Sequence, residues 1–231
     1  MAAGNNYYLM TSLVGLESLT STPPLSTAAL LGQIADQPRA EDLVKTLLLS
    51  DDLMQRQAIL AGEIEHGDPT ILTSAQLTDE EPLPEYLAPP LEGTPRRIAG
   101  DSLWVAYFRH AADVAEEHKC GFLQDWIGFE VAMRNALAEA RAKTLGLDPN
   151  EYFVEPELGS SISFAATIGE WSAAPDPLAG LKVLDRTRWD WLERNDRAYS
   201  FEDDEIAAYA AKLMLLHRWR RLAQAAESRQ D

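Results

Sequence analysis

Residues 206–219, IAAYAAKLMLLHRW, are apolar on nearly every side of a helix. A helix with such a surface must be covered by neighbours all round, so this segment dictates a helical core built about it. Its flanks agree. Glu202, Asp203, Asp204 and Glu205 crowd the end where the helix macrodipole is positive, and Arg218, Arg220 and Arg221 come late, where cations suit the negative end. Ser200 is placed to cap the helix, with Asp203 three residues on as in a capping box. A helix over 201–227 is expected.

The preceding segment carries two indoles, Trp189 and Trp191, two positions apart. That spacing means one face on a strand, but a rotation of about 200° on a helix. On a helix over 178–195, Leu181, Leu192, Leu178 and Trp189 fall on one side of an apolar arc, and Leu184 and Trp191 on the other. The arc is about 160° wide, with a tryptophan at each margin. Asp185 and Arg188 lie inside it, three apart. They are expected to pair with each other or with an adjacent helix, because burying either alone is costly.

Two more helices are expected near 101–119 and 121–145. In the first, Trp104, Phe108, Ala111 and Ala115 share a face, and Asp101 or Ser102 can cap the start. In the second, Trp126, Phe129, Met133 and Leu137 form a stripe, and Gly146 suits the residue just past the end. A shorter helix is expected over 161–171. Nearer the N-terminus, residues 5–16 fit either a short strand or the first turns of a helix. Ser26 is a good cap for a helix over 27–35, and Pro38 sits near the start of another. In that one Leu43, Leu47, Leu53 and Ile59 give an apolar side, with a break expected near residues 50–52.

Residues 63–93 hold eight acidic residues, five prolines and no Lys or Arg. Such a stretch repels itself and cannot propagate a helix, so it reads as a long surface connection. It is either a solvated linker or an acidic strap that docks on a basic partner. The fold class is therefore all-α: a multi-helix bundle of long antiparallel helices with an irregular N-terminal part. The expected divisions are 1–62, the acidic Pro-rich connection 63–99, and the bundle 100–231, together forming one structural domain.

Among 231 residues the formal net charge is -17. That argues against nucleic acid and anionic lipid as direct partners and leaves a basic protein surface open. Cys120 is the one cysteine, so no internal disulfide or Cys-based zinc site can form, and a small buried residue is expected there. No secretory signal pattern and no run of 18 apolar residues is seen, so membrane association would come through another protein and a cytoplasmic location is expected.

The chain shows no phosphate-cradling glycine loop, nucleotide fingerprint or nucleophile elbow. His110, Asp113 and Glu117 could face one way on a helix as metal ligands, but that spacing is common by chance and no second helix clearly supplies more. Glu65, His66 and Asp68 resemble a solvated loop. Glu130 and Arg134 read as an i, i+4 salt bridge, and His217 as a packed, hydrogen-bonded residue. No cofactor, metal or catalytic residue is expected.

The order of YYLMTSLVGL, PPLS, FEVAMRNALAEARAKTLGLD, LDRTRWDWLERNDRAYSF and AAKLMLLHRWRRL resembles a bacterial family encoded beside subunits of V/A-type ATPases. That family is distantly similar to the C (or d) subunit of those machines, and the resemblance runs from Tyr7 to Leu222. It implies a non-enzymatic subunit of a proton or sodium ATPase, a helical socket touching central-stalk and rotor-ring subunits; the alternatives are a separate adaptor or assembly factor, or an enzyme with an unrecognised site. It also implies an exposed apolar or Trp/Arg patch, with Trp191, Arg218 and Arg221 as candidate partner contacts.

Overall fold

A computed structural model describes residues 6–88 and 98–227, and every regular element in them is helical, with no strand. The α-helices are α1 (Tyr7–Ser12), α2 (Thr27–Ile34), α3 (Pro38–Leu60), α4 (Ser74–Leu77), α5 (Ala99–Glu117), α6 (Gly121–Leu145), α7 (Ala165–Ser172), α8 (Pro177–Asn195) and α9 (Asp203–Glu227). They fall into two compact units rather than one domain divided near 62 and 99. The first unit takes residues 1–80 and 185–231, and the second takes 81–184. The acidic connection is thus split between the units.

In the first unit α9 packs along α3, and α2 packs on both. Leu30 and Ile34 of α2, Val44 and Leu48 of α3, and Ile206, Ala210 and Leu213 of α9 close into one core. The apolar pattern of α9 is buried from Ile206 to Leu216 save for Lys212, as its sequence requires. Ser26 caps α2 as expected, its Oγ accepting from the Ala29 N–H at 3.0 Å. Residues 7–12 are helical; Asn6 fastens the start of α1 by donating from its N–H to Phe201 O at 3.0 Å and from Nδ2 to Asp203 at 2.9 Å.

Two expectations for α9 are corrected. The helix begins at Asp203, and the Ser200 hydroxyl accepts from the Glu202 N–H at 3.3 Å instead of reaching into the first turn. The preceding loop takes positive φ at Arg197, Tyr199 and Phe201, and Glu205 reaches back to accept from the N–H groups of Tyr199 (2.9 Å) and Phe201 (2.6 Å). Because α9 runs on to Glu227, Arg218 and Arg221 are not at its negative end; they face α3.

The expected break at 50–52 does not occur. Helix α3 is continuous because its polar run is spent on tertiary bonds: the Ser50 hydroxyl donates back to Leu47 O at 2.8 Å, and Asp51 and Asp52 are buried. Asp52 accepts from the backbone N–H groups of Thr70, Ile71 and Leu72 at 2.6–3.1 Å. Gln55 accepts from the Asp68 N–H at 2.7 Å, and Arg56 binds Gln76 O and the Asp79 carboxylate. Leu72 and Leu77 are buried, and Thr73 and Gln76 close a capping box around α4. From Asp68 to Asp79, then, the acidic connection is held against its own α3, while residues 63–66 are exposed. Residues 89–97 of it lie outside the described residues.

The second unit is built on α5 and α6, which pack on one another across a short turn. Trp104, Phe108, Ala111 and Ala115 are buried along α5, and Trp126, Phe129 and Met133 along α6. Cys120 is 1% exposed and caps α6, its Sγ facing the Leu123 N–H at 3.4 Å; Gly146 ends the helix at φ 69°. Residues 147–164 fold over α6. Asn135 donates to Val154 O at 2.9 Å and accepts its N–H at 2.8 Å. Gly128 lets the loop cross closely, since a Cβ there would stand 3.3 Å from Leu158 O. The short helix starts at Ala165, later than expected, because Phe164 is drawn inside at 5% exposure.

Burial pushes the Asp52 carboxyl above the usual range, while its three N–H donors pull it back. Truncation should orphan those donors. Asp52→Ala is expected to cost about 1–3 kcal/mol and to speed amide exchange at Thr70, Ile71 and Leu72 together, leaving α5 and α6 unchanged. Hydrogen exchange read peptide by peptide checks this; unchanged protection of residues 66–79 would contradict it.

Candidate interaction surface

The arc drawn on α8 becomes real from Leu184 onward. Leu184, Asp185, Trp189, Trp191 and Leu192 are buried, whereas Leu178 is 50% exposed. Asp185 is the arc's charged centre and is fully buried. Its Oδ1 accepts from Arg188 and from Arg218, each at 2.9 Å, and its Oδ2 accepts from the Trp219 indole N–H at 3.0 Å. Arg218 also donates from Nε to Asp51 at 3.3 Å and from its remaining nitrogen to Met54 Sδ at 3.3 Å. Asp51 in turn accepts from Arg221 and from Gln55, the latter at 3.0 Å. One guanidinium of α9 is thus clamped between carboxylates of α3 and α8.

Of the candidate contacts Trp191, Arg218 and Arg221, the first two lie buried instead of on an exposed patch, and Arg221 is half-buried. Trp191 is 7% exposed and Arg218 6% exposed, and Arg221 is drawn onto Asp51. Trp191 and Arg218 belong to the interior of the first unit, and both Arg218 and the half-buried Arg221 are held to carboxylates by charge-assisted bonds. Asp185 and Arg188 pair as expected.

Of the remaining sequence candidates, Glu65, His66, Asp113 and Glu117 are exposed, whereas Arg134, His110 and His217 make contacts within their units. Arg134 reaches Asp101 at 3.1 Å and lies 4.7 Å from the Trp104 ring centre, and burial lowers its pKa. Arg109 grips Glu155 through two bonds of 3.1 and 3.0 Å, and that pairing raises its pKa. His110 stacks on Tyr86 with ring centres 4.2 Å apart, and a His217 ring nitrogen lies 2.8 Å from Leu25 O. Among the described residues no group of three or more His, Cys, Asp or Glu could hold a metal ion. A cleft of about 630 Å³ lies over Ala132, Ala136 and Ala140 of α6, where Glu139 and Lys143 pair with each other at 2.5 Å. A second cleft, of about 260 Å³, is lined by Ile98, Leu145, Leu147 and Tyr152. Neither is lined by His110, Asp113 or Glu117.

A different face of the first unit carries the exposed aromatic surface. Tyr8 is 86% exposed, Tyr199 85% and Val14 62%. The Tyr7 ring stands 5.0 Å from Phe201 and 5.6 Å from Tyr8, which joins α1 to the loop before α9. Beside them is a notch of about 290 Å³, lined by Met10, Leu13, Val14 and Leu16 on one side and Asp196, Tyr199 and Tyr209 on the other. Its walls are tied together. The Tyr209 hydroxyl donates to Val14 O at 3.0 Å, and burial pushes that phenol up to about 12. Lys212 pairs with Asp196 at 2.8 Å and sits 5.9 Å from the Trp189 ring centre. The loop is strained as well: three non-glycine residues, Arg197, Tyr199 and Phe201, take φ between 54° and 66°. Sequence reasoning passed over these tyrosines because neither segment has a period to place them.

Comparison with protein-family models, curated proteins and solved structures finds no match. The fold and surface define an all-helical protein, and no helix among the described residues is long and apolar enough to cross a membrane.

As a buried indole, Trp191 should be needed for stability. Trp191→Ala is expected to destabilise the fold by about 3–5 kcal/mol in urea unfolding. A variant of wild-type stability that had lost a partner would instead restore Trp191 as an interface anchor.

Proposed function

We propose that this chain acts by docking to other proteins, without catalysis, as a subunit of a V/A-type proton or sodium ATPase. In that role it is a C/d-like socket between central stalk and membrane rotor ring, cytoplasmic and held at the membrane through its protein partners. The observation that carries the docking role is the exposed face of Tyr7, Tyr8, Val14 and Tyr199. Exposed aromatic side chains are the usual makings of a protein contact, and of these Tyr199 also lines the notch, together with Val14. The order of the sequence segments from Tyr7 to Leu222 supplies the choice of machine. The titratable groups inside both units are consumed by pairings that hold helices and loops together, which favours a structural role over an active site.

The test is affinity purification of the tagged chain from gently solubilised native membranes, with subunits identified by mass. Stoichiometric recovery of stalk and rotor-ring subunits is expected. Recovery of the protein alone rejects the subunit assignment. Sub-stoichiometric recovery confined to partly built complexes moves the role to an assembly factor.

A further inference from the structure

We infer that the cleft along the C-terminal half of α6 receives a segment of a partner protein carrying an Asp or Glu beside a Leu or Val, the carboxylate meeting the guanidinium of Arg141 and the aliphatic group entering the cleft. The inference rests on the docking role proposed above and names the chemistry of a partner for the second unit.

The floor of this cleft is one face of α6. Arg134, Leu137, Ala138, Arg141 and Leu145 line it and recur at i, i+3, i+4, i+7 and i+11, so they stand in a row along the helix. Ile98 and Asp101 at the start of α5, and Leu147 and Tyr152 beyond α6, supply the walls. Leu145 is 70% exposed and Ile98 52%. The cleft holds about 260 Å³, short of the about 300–1,000 Å³ of small-molecule sites. A small ligand inside it would leave those two side chains wet. A protein segment fills the cleft with one side chain and covers the rim with its neighbours.

Arg141 selects the charge of that segment. Its guanidinium lies 5.2 Å from the Trp171 ring centre, and the residue is exposed. Among the described residues it makes no hydrogen bond and no ion pair, so its five donors are open. Stacking holds the planar fork without using it, and a fork so held suits two parallel bonds to a carboxylate. The carboxylate that shares the cleft is taken: Asp101 accepts from Arg134 at 3.1 Å. The pKa of Arg134 is lowered by burial and by the charge of Arg141, and raised by Asp101 and Glu130. The acids there act at the Arg134 end, and the Arg141 end keeps an open cation. A purely apolar occupant would cover those donors without giving them an acceptor, which is costly. A basic one would meet two guanidiniums. The net charge of -17 opposes an acidic partner at a distance, but salt screens it beyond about 10 Å, whereas the bonds to the fork form at contact.

The probe is a short end-blocked peptide alternating Glu and Leu, titrated into the full chain by calorimetry at moderate salt. The same peptide with Gln for Glu, and with Ser for Leu, serves as control. The Glu-Leu peptide is expected to bind about tenfold more tightly than either. Arg141→Gln and Leu145→Ser change exposed side chains and should unfold at the wild-type temperature. The first is expected to weaken binding about tenfold or more, and the second about fivefold. Arg220→Gln, which removes an exposed charge of the first unit, should change the affinity less than about twofold. Absence of binding overturns the inference, as does equal affinity of wild type and Arg141→Gln, or an equal loss in Arg220→Gln. Octanoate, a free amphipathic carboxylate, overturns the choice of a protein segment if it binds as tightly as the peptide. Co-purification separates this inference from the assembly reading. Full recovery of stalk subunits by the double variant Arg141→Gln, Leu145→Ser rejects the cleft as a docking site and leaves the assembly standing. Arg141-dependent peptide binding by a chain that leaves the membranes alone keeps the cleft and rejects the machine.

Discussion

Arg218 is the charge around which the first unit is arranged. It sits 6% exposed on α9, bonded to Asp51 of α3 and to Asp185 of α8, and those two carboxylates gather Arg188, Arg221, Gln55 and Trp219. Desolvating such groups is expensive, and it is tolerable only when each finds partners in good geometry. Apolar helices can slide and still bury oil. A guanidinium that must meet two carboxylates on two other helices admits far fewer arrangements. The geometry therefore ties the registers of α3, α8 and α9 to one another, beyond what the leucines and alanines of the core require.

The same helix α3 uses its next polar residues outward. Asp52, Gln55 and Arg56 take up backbone and side-chain groups between Asp68 and Asp79, so a stretch rich in acid and proline is held against a helix instead of trailing in water. Adjacent residues thus serve opposite directions: Asp51 faces α9, and Asp52 faces the connection. The first unit then offers solvent an aromatic notch at the far sequence end of the same construction, where α1 and the loop before α9 are bound together by Asn6, Glu205 and Tyr209.

Much of the helical fold was legible in the sequence. The extents of α6 and α8 follow from periodicity and, for α6, from a glycine past its end, and the placement of Leu184, Trp189, Trp191 and Leu192 follows from the arc drawn on α8. The polar interior was not. A run such as Ser50-Asp51-Asp52 looks like a helix stop because local rules weigh polar residues against solvent, whereas here a distant Arg and a distant loop supply their partners. The late arginines of α9 were read as dipole complements for the same reason. The exposed tyrosines escaped notice because surface residues leave no periodic trace, and the two segments that carry Tyr8 and Tyr199 are nearly 200 positions apart. Their meeting is a consequence of tertiary structure alone.

A double-mutant cycle on Asp185 and Arg218 tests the central claim most directly. Urea unfolding would be measured for the wild type, Asp185→Asn, Arg218→Met and the pair. If the clamp organises the unit, each single change strips a buried charge of one of its two counter-charges, leaving Arg218 with Asp51 alone or Asp185 with Arg188 alone, and costs about 3 kcal/mol, and the double variant costs clearly less than the two together. Costs that add to within about 0.5 kcal/mol would show that the two residues act independently, and would contradict the account.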